Sequence, residues 1–107
     1  GHVGINCADL DEANTIVNQL SSIFGFEYKM GNSSIFAGEA VEVMKSPYLG
    51  QKGHIAINTN SVDRAVAYLN EMGISFNENT RKTSPDGKIK AIYLTEEIGG
   101  FAIHLKN

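Results

Sequence analysis

The sequence predicts an α+β fold in which two β-α-β-β-β units build one curled mixed sheet around a cavity, with the helices outside. Three observations predict it. The segments His2-Val-Gly-Ile-Asn and His54-Ile-Ala-Ile-Asn repeat one pattern in the two halves of the chain. Each leads into a helical periodicity that stops at a glycine, Gly25 in the first half and Gly73 in the second. Short strand-like runs bounded by turn residues then fill the rest of each half. The 107 residues make one domain, 1–107, with repeat units of about 1–47 and 53–107.

Taken in order, the first strand alternates Val3, Ile5 and Cys7 on one face with His2, Gly4, Asn6 and Ala8 on the other. Asp9 and Asp11 supply carboxylates where a helix dipole is positive. Ala13, Ile16, Val17, Leu20, Ile23 and Phe24 then share one helical face. Strands are expected at 26–30, 33–37 and 40–45, separated by Gly31-Asn32 and Gly38-Glu39. Residues 47–53 read as a connector.

The second half repeats this with a strand at 54–59 and a helical face of Val62, Ala65, Val66, Leu69 and Met72. Strands follow at 75–80, 88–95 and 101–106, with Ser84-Pro-Asp-Gly87 as a turn. One such unit covers only one face of its sheet. Two side by side enclose a concavity, with Val3/Ile5/Cys7 and Ile55/Ile57/Thr59 under the helices and His2 and His54 facing inward.

Composition narrows the function. Nine Lys and Arg against twelve Asp and Glu give a net charge of −3, which argues against a nucleic-acid partner. No apolar run approaches the ~18 residues of a membrane span. The single Cys7 can form no internal disulfide or cysteine zinc site and reads as a small buried hydrophobe. A cytoplasmic setting is expected. The chain opens on Gly1 with strand-like sequence at His2, which predicts a domain taken from a longer chain. No serine sits in a strand-to-helix elbow, and the glycines lack the order of a phosphate loop.

All three histidines fall into one pattern. His2 and His54 open the first strand of each unit, and His104 lies in the last strand of the second. Phe101, Ile103 and Leu105 occupy one face of that strand, so His104 takes the other. Val41 and Val43 do the same for Glu42 in the last strand of the first unit. Four strands thus aim His2, Glu42, His54 and His104 at one side of the sheet. Imidazole and carboxylate suit a divalent transition ion: Zn, Ni, Co, Mn or Fe. Three neutral imidazoles, one carboxylate and such an ion sum to about +1, which favours an anionic ligand. Asn6 and Asn58 share the strand faces of His2 and His54 and are candidates for substrate contact or for orienting ligands. Tyr48 and Tyr93 are weaker substrate-binding candidates.

These residues resemble the vicinal oxygen chelate superfamily, which includes glyoxalase I, methylmalonyl-CoA epimerase, extradiol dioxygenases and fosfomycin-resistance enzymes. The resemblance runs through the paired units and the openings His-Val-Gly-Ile and His-Ile-Ala-Ile. It implies that His2 and His54 are first-strand ligands and that Glu42 matches a carboxylate ligand of glyoxalase I. His104 stands where the superfamily usually has Glu. The implied function is a metal-dependent lyase or isomerase acting on a small keto- or hydroxy-carbonyl substrate through an enediolate, with Glu42 moving the proton. The stretches Glu-Val-Met-Lys-Ser-Pro-Tyr and Gly-Phe-Ala-Ile-His-Leu also resemble the module appended to bacterial keto-hydroxyglutarate/keto-deoxyphosphogluconate aldolases. That implies an alternative, a non-catalytic ligand-binding or accessory domain linked covalently to an aldolase. A homodimer is expected, since edge strands need cover.

Overall fold

The computed structural model describes all residues, 1–107, and has the element order the repeat predicts. The first unit comprises β1 (His2–Ile5), α1 (Leu10–Phe24), β2 (Tyr28–Met30), β3 (Ser34–Ala37) and β4 (Val41–Met44). The second comprises β5 (Gly53–Asn58), α2 (Val62–Glu71), β6 (Phe76–Thr83), β7 (Ile89–Leu94) and β8 (Phe101–Lys106). All eight strands form one open mixed sheet in the order β2-β3-β4-β1-β5-β8-β7-β6.

Local chemistry sets the helix limits. The Asp9 carboxylate accepts from Glu12 N–H, and the Glu12 side chain accepts in return from Ala8 N–H. α1 ends on Gly25, whose φ of 72° is a left-handed conformation that a β-carbon disfavours. Ser61 caps α2 by accepting from Arg64 N–H. Each helix seals a small core on the convex side. Cys7, Ala13, Val17, Ile35 and Val43 pack in the first unit, and Val62, Val66, Ile89, Ile92 and Leu105 in the second. Cys7 is the buried hydrophobe its position suggests, with burial first and Glu12 second pushing its thiol pKa up.

Two expectations for the convex face need correction. Val3 is 38% exposed and Ile57 47% exposed, so neither is sealed by a helix. The reason lies in where the helices sit: α1 lies over β3 and β4, and α2 over β7, leaving the central strands less covered. A third correction concerns β6, which runs to Thr83 instead of stopping at residue 80. Asn77 pairs with Tyr93 and Lys82 with Ala91, so four residues of β6 bulge out opposite the single Ile92.

The centre of the sheet positions the site. β1 and β5, the equivalent strands of the two units, pair antiparallel, with His2 opposite Ala56 and Gly4 opposite His54. β4 joins β1 in parallel with Glu42 opposite Gly4. By the same relation β8 joins β5 with His104 opposite Ala56. Residues paired across strands share a face. His2, Glu42, His54 and His104 therefore all stand on the concave side.

Candidate metal centre

Three of the four expected ligands meet. Glu42 Oε1 lies 3.2 Å from His2 Nε2 and 3.0 Å from His54 Nε2, and the two imidazole nitrogens are 3.1 Å apart. All three side chains are largely buried, His54 most of all. With the Glu42 carboxylate ionised and no cation present, no placement of protons satisfies this triangle. If both imidazoles donate to the carboxylate, their own contact sets donor against donor. A shared ion removes the conflict. Metal–ligand bonds of about 2.1 Å place neighbouring ligand atoms about 3.0 Å apart in an octahedral face and about 3.4 Å apart in a tetrahedron. The observed edges lie in that range, and no other group of His, Cys, Asp or Glu in the chain converges as a metal cluster. Two imidazoles and one carboxylate suit any of the five ions named above. All three side chains come from the same chain, so the cluster needs no partner subunit.

Neighbouring residues shape the trio. Buried Ser34 donates from Oγ to Glu42 Oε2 at 2.7 Å, which fixes the carboxylate and turns Oε1 toward the imidazoles. The hydrogen bond from His54 foremost, then that from Ser34, hold the Glu42 carboxyl down at about 2 against the opposing effect of burial. Burial is also the main cause of the lowered His2 pKa, opposed by the Glu42 charge. The His54 ring lies across Gly4, so a β-carbon built there would overlap the imidazole. His54 Nδ1 is buried without a hydrogen-bond partner, a departure from the usual practice of orienting a ligating histidine through its second nitrogen.

His104 does not join the trio. It holds the position that mirrors Glu42, but its ring lies flat on Tyr93, centroids 4.4 Å apart and planes within 2°. Its centroid is 6.4 Å from that of His54. Tyr93 is the direct cross-strand partner of His104, and the stack holds the ring aside. Burial first, then the neighbouring imidazoles, push the His104 pKa down to about 4, so the ring is neutral at pH 7. Of the four expected ligands, His2, Glu42 and His54 converge, and His104 stands beside them as a neutral imidazole.

The trio forms one wall of a cavity of about 720 Å³, which His104, Tyr48 and Tyr93 also line. The two asparagines do otherwise. The Asn6 amide donates to the carbonyls of Tyr48 and Gly50 and accepts from Tyr48 N–H, stapling the connector to β1. Asn58 is exposed and outside the cavity lining. The β6 bulge was not legible in the sequence, yet it brings Asn79, Thr80 and Arg81 to the cavity. Thr80 anchors it by donating to Asn77 O and accepting from Tyr93 N–H. Ser34 was missed as well. Its only signal was alternation, which sets it two residues from Phe36 on the cavity-facing side of β3.

No protein-family model matches this sequence, and no curated protein matches it. Solved structures do match its fold. A methylmalonyl-CoA epimerase bound to methylmalonyl-CoA and ammonium is 20% identical, with a TM-score of 0.62 over 97% of this chain and 90% of that one. The methylmalonyl-CoA epimerase of Mycobacterium tuberculosis is 17% identical, with a TM-score of 0.58 over 98% and 84%. A hypothetical protein of Bacillus halodurans is 14% identical, with a TM-score of 0.63 over 98% and 90%. At these identities the likeness shows the fold, and it is the fold that the vicinal oxygen chelate resemblance implied. Nothing among these matches points to an aldolase.

Proposed function

We propose that this chain is a divalent-metal isomerase or lyase of glyoxalase type, acting on a small substrate with two neighbouring oxygens through an enediolate. One observation carries the reading: the His2/Glu42/His54 triangle, closed to 3.0–3.2 Å on the wall of a substrate-sized cavity. A bound ion there would act as a Lewis acid on the substrate carbonyl and stabilise the enediolate charge. His2, Glu42 and His54 would hold it. Ser34 keeps the carboxylate in its ligating orientation. Tyr48 and Tyr93 provide the apolar flank against which a small molecule packs, and His104 offers a neutral imidazole to its polar groups. Glu42 is the expected proton carrier, but two imidazoles and Ser34 engage it, and a carboxyl held near 2 is a weak base. His104 faces the same cavity outside the triangle and is the alternative proton carrier, though with its pKa held near 4 it too is a weak base.

That engagement of Glu42 also favours a second reading, a domain that binds a chelating ligand without transforming it. The methylmalonyl-CoA of the epimerase fold relative supports a carbonyl substrate here without specifying which. The test has two steps. Protein purified without chelator, or reloaded with Zn, Ni, Co, Mn or Fe, is expected to hold one ion per chain by elemental analysis, and His54→Ala is expected to lose it. Loaded protein in D2O is then expected to exchange the proton next to the carbonyl of α-keto and α-hydroxy carbonyl compounds, read by NMR. No metal uptake refutes the site. Uptake with ligand binding but no exchange refutes the enzyme and leaves the binding domain.

A further inference from the structure

We propose that Lys82 and Lys106 form an anion subsite in the same cavity, so that the substrate carries a carboxylate or phosphate group remote from its two chelating oxygens. This rests on the metal reading above and adds the substrate's second handle.

The charge distribution is the first support. The chain is acidic overall, yet the cavity gathers three of its nine Lys and Arg residues, Arg81, Lys82 and Lys106, with only one of its twelve acids, Glu42. Glu42 is taken by the imidazoles, and Arg81 is neutralised by Glu78 at 2.7 Å. Lys82 and Lys106 have no acidic partner within ion-pair distance. Two uncompensated ammonium groups in one concavity focus positive potential on whatever enters.

Sheet register is the second. Lys82 pairs with Ala91 and Ala91 with Lys106, so the two lysines flank one small residue in a single row across β6, β7 and β8. Ala91 puts only a buried methyl group between them. The β6 bulge is what sets Lys82 in that register. Rows on one face repeat every two residues, about 6.6 Å. The lysine row therefore stands about 7 Å beyond the row of His2 and His104, and about 13 Å beyond that of His54 and Glu42. On their flexible stems the two ammonium groups can reach a charged group several bonds from the ion.

Matched probes separate tail charge from chelation. Nickel-loaded protein is titrated calorimetrically with 2-oxoglutarate against 2-oxopentanoate, and with dihydroxyacetone phosphate against dihydroxyacetone. The first pair tests a carboxylate tail and the second a phosphate. In at least one pair the anionic member is expected to bind about tenfold more tightly. That advantage should shrink at high salt, vanish in the double variant Lys82→Met/Lys106→Met, and survive in the control Lys29→Met. With nickel shown to be bound, no advantage in either pair, or one that persists without the two lysines, overturns the proposal. Glutarate and inorganic phosphate titrated into metal-free protein test the lysines independently of the ion, through backbone amide shifts in β6 and β8. Shifts abolished by the double variant sustain the subsite even if the metal reading fails; their absence at tens of millimolar overturns it.

Discussion

Replacing Gly4 with alanine tests the site without touching any proposed ligand. Gly4 faces His54 across the β1–β5 pair, and an added β-carbon would overlap the ring, with Nε2 only 2.6 Å away. The ring must swing out, which breaks its 3.0 Å contact with Glu42 and opens the triangle. A hydrogen bond to a charged group is worth about 1.5–3 kcal/mol, and alanine in place of glycine within a strand returns about 0.5–1 kcal/mol. The net loss for metal-free protein is about 1–2 kcal/mol, or roughly 5–15 °C in Tm for a domain of this size. Metal binding should suffer more. Changes to groups that only orient a ligand cost about 10–100-fold in affinity, so displacing a ligand should cost at least about 100-fold. Differential scanning calorimetry and metal titration read the two effects. The control is Ala56→Gly, which changes the small residue opposite His2 without crowding it. If Gly4→Ala binds zinc or nickel as tightly as the parent, the close approach of ring and backbone has no bearing on the ion, and the reasoning fails.

Three further outcomes follow from the same contacts. Ser34→Ala removes the 2.7 Å bond to Glu42 Oε2 and should weaken metal binding by about tenfold, measured by competition with a chromophoric chelator; unchanged affinity would show that Ser34 does not orient the carboxylate. His104 has a folded pKa of about 4 against 6.5 in the unfolded chain, so the unfolded state takes its proton first as pH falls. The stabilisation this provides is complete above pH 6.5 and lost progressively down to about pH 4, roughly 3 kcal/mol in all, and urea titrations of metal-free His104→Phe should show a flatter pH dependence than the parent. Asn6→Ala frees the connector from three hydrogen bonds and should destabilise the fold by about 1–3 kcal/mol while leaving metal affinity unchanged, which chemical denaturation and metal titration together check.

Patterns local to a strand or helix were legible in the sequence. Alternation put His2, Glu42 and His54 on one face, and the repeat brought their strands to the middle of the sheet. The caps at Asp9 and Ser61 and the stop at Gly25 follow from local chemistry. What depended on neighbours was harder to read. His104 has the right face and the right strand, but Tyr93 across the β7–β8 ladder claims its ring. Asn6 was placed with His2 by alternation, yet it follows the last residue of β1, where its amide turns to the connector. The β6 bulge breaks the period-two rule on which strand reading relies, so Thr80, Arg81 and Lys82 gave no advance sign of facing the cavity. Glycine at position 4 and alanine at the equivalent position 56 looked interchangeable as small residues. Only the pairing of β1 with β5 shows that one lies against a buried imidazole.

The antiparallel join of β1 to β5 has a consequence for how the two halves hold together. Two donors of the triangle belong to the first half and one to the second, whereas each apolar core lies wholly within its own half. Prising the halves apart would dismantle the coordination before either core was wetted. An ion seated there would be a clasp across the join, and cutting the chain in the connector should then give fragments whose reassociation added metal drives.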